Sequence, residues 1–70
     1  MKAIDLHGIK HENVKDTIIN ACATLDIPFL VITGRSGSMK SLVASAAQTM
    51  GLSVRDTIDN PGRVIVYEYR

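Results

Sequence analysis

Cysteine is nearly missing from this chain. Cys22 is the only one among 70 residues, so no internal disulfide can brace the fold, and stability must come from packing alone. A single thiol without a secretion signal is expected in a reducing cytoplasm, and Met1 reads as a natural start. Long apolar runs are also lacking. None approaches the roughly 20 residues needed to cross a bilayer, so no membrane association is expected. Charge of one sign is not in excess either, since the formal net charge is only +1. That excludes a broadly basic surface, and any role with nucleic acid must rest on where charges lie. Repeats, low-complexity tracts and linkers are absent, and residues 1–70 leave room for one core and one domain. What remains, 46% hydrophobic and 21% charged, is the balance of a globular domain.

The periodicities alternate between strand and helix. Lys2 to Leu6 reads as a strand stopped by Gly8. From His11 to Leu25, Val14, Ile18, Ala21, Cys22 and Leu25 form the stripe of an amphipathic helix. Glu12 and Asp16 lie early in it, where carboxylates suit the helix dipole. Pro28 separates it from Phe29-Leu30-Val31-Ile32, an uninterrupted apolar run that predicts a central parallel strand covered on both faces. Ser38 is the expected N-cap of a second helix, with Met39, Leu42, Val43, Ala46, Ala47 and Met50 as its stripe and Gly51 after its end. Ser53–Ile58 and Arg63–Tyr69 should form an antiparallel hairpin around Asp59-Asn60-Pro61-Gly62.

The order β-α-β-α-β-β, with right-handed crossovers, predicts an α+β fold. It is a two-layer sandwich, with two helices on one face of a mixed four-stranded sheet. The other face is then open. On the last strand Ile65, Tyr67 and Tyr69 share one side. They are either partly covered by loops and long side chains, or a contact face for a second copy, a protein partner or stacked bases.

Two segments carry candidate chemistry. Asp5 and His7 alternate away from Leu6, so they share a face at the end of the first strand. A carboxylate there can orient and charge-stabilise an imidazole, or both can ligate a metal. Otherwise Asp5 caps a loop amide and His7 is a surface residue. Gly34-Arg35-Ser36-Gly37-Ser38 runs into a helix N-terminus, whose free amides attract anions, with Arg35 and Lys40 adding charge. The spacing is not that of the GxxxxGK[ST] nucleotide loop, and an ordinary strand-to-helix turn is the plainer reading. If the first two strands are parallel, both segments fall on one sheet edge, together with Gly8, Lys10 and His11. That is where open α/β sheets collect ligands. Cys22, on the core stripe, reads as an inert thiol.

Three motifs in this order resemble the Smr (small MutS-related) domain over essentially the whole chain: Asp5-Leu6-His7-Gly8, Ile32-Thr33-Gly34 with its glycine-serine loop, and Asn60-Pro61-Gly62 before a valine-rich strand. Ser36 stands where that family has glycine, and the loop is one residue short. The resemblance implies the β-α-β-α-β-β fold, which the carboxy-terminal domain of a bacterial translation initiation factor shares. It also implies nucleic-acid binding, with nicking or RNA-cleaving endonuclease activity in several members. Asp5 and His7 map onto the implied catalytic pair; Gly34, Arg35, Gly37 and Lys40 map onto the substrate loop.

A two-metal nuclease needs several carboxylates converging on two ions about 3.5–4 Å apart. Only Asp5 and Glu12 are expected near this edge, with Asp16, Asp26, Asp56, Asp59 and Glu68 on helix exteriors, at the other edge or near the hairpin. No metal or cofactor is therefore expected. A histidine can still cleave RNA by deprotonating its 2′-hydroxyl, which DNA lacks, so RNA is favoured over DNA. The expected function is metal-independent RNA cleavage by Asp5 and His7. Gly8, Lys10, Gly34, Arg35, Ser36, Gly37, Ser38 and Lys40 would hold the nucleic acid. The alternatives are a non-catalytic RNA- or DNA-binding module, or a protein-interaction domain using the open face.

Overall fold

A computed structural model describes residues 1–68. The elements run β1 (Ala3–Asp5), α1 (His11–Thr24), β2 (Phe29–Ile32), α2 (Gly37–Thr49), β3 (Ser53–Thr57) and β4 (Asn60–Tyr67). The sheet order is β1-β2-β4-β3. β1 pairs parallel to β2, and β4 is inserted antiparallel between β2 and β3. Both crossovers step across the sheet in the same direction, so crossovers of one hand place both helices on the same face. The molecule measures 28 × 27 × 18 Å. Its thin dimension fits one sheet and one helix layer, completing the α+β sandwich expected from the sequence.

The core lies between those layers. Leu6, Phe29, Val31, Val64 and Val66 from the sheet side meet Val14, Ile18 and Ala21 of α1 and Met39, Val43, Ala46 and Ala47 of α2. β2 and β4 contribute alternate residues, as one-sided burial requires. The sheet register keeps the two sets apart: Val31 pairs with Val64 and Phe29 with Val66, while Leu30 pairs with Ile65 and Ile32 with Arg63.

β2 is central, as its composition suggests, but it is neither wholly parallel nor covered on both sides. Phe29 and Val31 are buried, whereas Ile32 is 41% exposed on the open face. A four-residue apolar run does not by itself distinguish two covered faces from one. Ile65 and Tyr67 lie half-buried on that same face, where the Arg55 guanidinium sits 5.2 Å from the Tyr67 ring centre. Tyr69 lies outside the described residues.

Local sequence fixes the ends of α2, though not at the serine expected. The helix begins at Gly37, and Ser36 rather than Ser38 is its N-cap, with Ser36 Oγ accepting from the Met39 N–H at 3.1 Å. The Ser-x-x-Met spacing meets the cap geometry at Ser36 and leaves Ser38 within the first turn. At the other end Gly51 takes a left-handed φ of 75°. Its N–H donates to the Gln48 C=O, and the Leu52 N–H donates to the Ala47 C=O, closing the helix with a Schellman motif.

The hairpin turn is also displaced. Thr57 pairs with Asn60 across a two-residue loop of Ile58 and Asp59, and Asn60, Pro61 and Gly62 open β4. A bulge at Asp56/Thr57 absorbs the change of register. Ile58, at the tip, is fully exposed. Among the described residues, no helix is long and apolar enough to cross a membrane.

Two stability tests follow. Phe29→Ala removes the largest fully buried side chain and should cost about 3–5 kcal/mol in urea unfolding. A domain of this length has only roughly 4–10 kcal/mol in total. A loss under about 1 kcal/mol would contradict the one-core description. Ser36→Ala should cost about 1 kcal/mol through the lost cap, whereas Ser38→Ala should change stability by under about 0.5 kcal/mol. The reverse ranking would return the cap to Ser38.

Candidate nucleic-acid interface

β1, β2 and β3 all point the same way, so their carboxyl ends share one edge with the start of β4. Three connections meet there: residues 6–10 after β1, residues 33–36 after β2 and the Ile58–Asp59 loop. The first is a tight turn. The Ile9 N–H donates to the Leu6 C=O at 3.0 Å, and Gly8 supplies a φ of 81°. Leu6 is buried in the core and still bonded to the sheet through its N–H and the Ile32 C=O. Asp5 and His7 flank it, and both are exposed.

The bond between that pair runs through the backbone. Asp5 Oδ1 accepts from the main-chain N–H of His7 at 2.8 Å. This is the Asx-type contact that short acidic side chains make two residues on. Asp5 thus shapes the turn that presents His7.

The second connection is anchored from β4. The Gly62 carbonyl accepts the N–H groups of both Thr33 and Gly34, at 3.0 and 2.9 Å. Gly34 has a φ of 66°, and Thr33, itself buried, donates its hydroxyl to the Gly34 carbonyl. Asn60 Oδ1 accepts the Gly62 N–H at 2.8 Å, holding the carbonyl-bearing segment in place. The role of Asn60 and Gly62 is invisible in the sequence, where Asn-Pro-Gly reads only as a turn.

Between the first two connections lies a cavity of about 290 Å³. Asp5, His7, Gly8 and His11 line one side, Ile32, Thr33 and Gly34 the other, and Met39 reaches it from α2. The structure therefore brings Asp5, His7, Gly8 and Gly34 of the expected set around one space. Lys10, Arg35, Ser36, Gly37 and Ser38 stand beside it, exposed on the same edge, but do not line it. His11, a marginal candidate from the sequence, does line it.

Lys40 departs furthest from expectation. Its ammonium lies 3.2 Å from a carboxylate oxygen of Asp56, so it is paired across to β3. Asp56 and Asp59, expected with the other acids on helix exteriors, at the other edge or near the hairpin, lie on this same edge because β3 ends there. Both are answered by cations. Arg63 Nη2 donates to both oxygens of Asp59 at 3.2 and 3.1 Å and holds that carboxyl below its usual range. Among the described residues, no three His, Cys, Asp or Glu side chains gather as a metal-ligating set. Lys10 and Arg35 carry no ion pair among the described residues. Cys22 is half-buried, and burial pushes its thiol pKa up, away from reactivity.

No protein-family model matches the chain, and neither a curated protein nor a solved structure matches it.

The Asp59–Arg63 pair gives a pH test. A carboxyl pKa lowered by folding contributes stability above the unfolded value of about 3.9, and that contribution disappears as pH falls through the lower folded value. Arg63→Gln should raise the Asp59 pKa toward the ordinary carboxylate value in an NMR titration. An unmoved Asp59 titration would show that the guanidinium does not hold it.

Proposed function

We propose that this edge binds the phosphodiester backbone of RNA and cleaves it without a metal, as in a minimal Smr-like domain. The observation that carries the reading is the cavity itself. It sets the Asp5-His7 turn opposite the Thr33-Gly34 loop at the carboxyl ends of two parallel strands, where such sheets bind ligands. An imidazole is suited to proton transfer near neutral pH, and the 2′-hydroxyl of RNA is a nucleophile it can activate. Asp5 serves as a positioning residue, setting the main chain of His7. The exposed Lys10 and Arg35 and the amides at the start of α2 attract the phosphates. Lys40, tied to Asp56, contributes less than Arg35.

One observation favours a second reading, a binding module that does not cleave. Asp5 Oδ1 accepts a backbone N–H, a contact that a purely structural turn would also need. Cleavage of labelled single-stranded RNA with EDTA present separates the two. His7→Ala should lower the rate about 10²–10⁴-fold. Arg35→Ala should weaken binding and lower the log–log salt slope by about 0.7. Binding by a parent that never cleaves would establish the module. Equal cleavage by parent and His7→Ala would sink the catalytic assignment.

A further inference from the structure

Cleavage by 2′-hydroxyl attack moves two protons. As the O2′–P bond forms, the hydroxyl proton must leave. As the P–O5′ bond breaks, the departing oxygen must gain one. The products are a 2′,3′-cyclic phosphate and a 5′-hydroxyl, with no water consumed. One imidazole cannot be neutral to accept the first proton and cationic to deliver the second at the same moment. A concerted reaction needs two groups, and this inference rests on the RNA-cleaving reading above.

Only three side chains lining the cavity belong to the acid–base types: Asp5, His7 and His11. Asp5 Oδ1 already accepts the His7 amide. The Thr33 hydroxyl donates to the Gly34 carbonyl, and Met39, Ile32, Leu6 and Ile9 cannot carry a proton. Lys10, Glu12 and Arg35 are the nearest charges along the chain, but none of them lines the space. His11 returns to the cavity because of the turn. Leu6 to Ile9 reverses the chain, Lys10 is extended at φ −68° and ψ 145°, and α1 starts at the next residue. Two imidazoles four residues apart thus border one space from different elements, a loop and a helix start.

We propose that His11 is the second proton-transfer group of this site, paired with His7, one accepting the 2′-hydroxyl proton and the other protonating the 5′-oxygen. His11 is exposed and lies outside the buried core.

The test uses the full chain, His7→Gln and His11→Gln, on a single-stranded RNA oligonucleotide. A matched oligonucleotide carries sulfur in place of the bridging 5′-oxygen at one linkage. A thiolate leaves without a proton donor, so this substrate bypasses the general acid. With the normal RNA, His11→Gln should cleave about 10²-fold or more slowly, with unchanged affinity and thermal unfolding. The bell-shaped pH–rate profile of the parent should lose one limb in each variant, and not the same one. With the sulfur substrate, one variant should recover and the other should not. A parent that cleaves while His11→Gln cleaves equally fast overturns the role of His11 and leaves that of His7 standing. So does a slower His11→Gln whose affinity falls in parallel, or sulfur rescue of neither variant. A parent that cleaves no RNA overturns the wider reading, and this one with it.

Discussion

The insertion of β4 antiparallel between β2 and β3 is the constraint from which the rest of this domain follows. It leaves β1, β2 and β3 pointing the same way, so every strand that precedes a polar loop ends at one edge. It also brings the Gly62 carbonyl beneath the loop after β2, where it accepts the amides of Thr33 and Gly34. Buried backbone amides need partners, and a glycine-rich loop has few side chains to provide them. The hairpin supplies that partner from 28 or more residues away in sequence. The cavity between this loop and the Asp5-His7 turn therefore depends on pairing that forms last along the chain.

Packing and chemistry are segregated by the same geometry. One sheet face holds the core residues of β2 and β4 against both helices, with Ile4 and Val54 packed beside them, and the other carries Leu30, Ile32, Ile65 and Tyr67 beside Arg55 and Arg63. In a chain this short the single core leaves little stability to spare. The edge contributes Leu6 and Met39 to that core while its charged side chains stay outside. Its loops are held by backbone hydrogen bonds, and the His7 and His11 side chains are exposed. Two of its carboxylates are ion-paired, Asp56 with Lys40 and Asp59 with Arg63. Lys10 and Arg35 are the exposed cations beside the cavity, and the exposed carboxylates Asp5 and Glu12 equal them in number.

The elements were legible because their signals are local. The stripe Val14, Ile18, Ala21 and the glycine at 51 are complete statements about neighbours in sequence, and the helices lie where those residues put them. Hairpin detail was less legible, since Asn60-Pro61-Gly62 is good turn chemistry wherever it stands. Only the pairing of Thr57 with Asn60, and the bond from Asn60 to Gly62, move the turn to Ile58-Asp59. Burial of β2 depended on which faces the helices cover, which Phe29-Leu30-Val31-Ile32 does not encode. Around the cavity, the meeting of Asp5, His7 and Gly34 on one edge was legible from their types and spacing. The pairing of Lys40 with Asp56 is a product of tertiary geometry with no local mark, whereas His11 was expected on this edge from its place just after the first strand. The use of the Asp5 carboxylate on the His7 amide is local, a contact between residues two apart, and is one of the two roles that Asp-x-His allows.

The central claim is that the edge formed by the loops after β1 and β2 is where this domain meets RNA. Its most direct test is an NMR titration of the isotopically labelled protein with a short single-stranded RNA, followed at low salt through backbone amides and imidazole rings. The account predicts shifts concentrated at His7, Gly8, His11, Thr33, Gly34 and Gly37, with Leu30, Ile65 and Tyr67 unmoved. Shifts confined to Leu30, Ile65 and Tyr67, or none at all at saturating RNA, would contradict it.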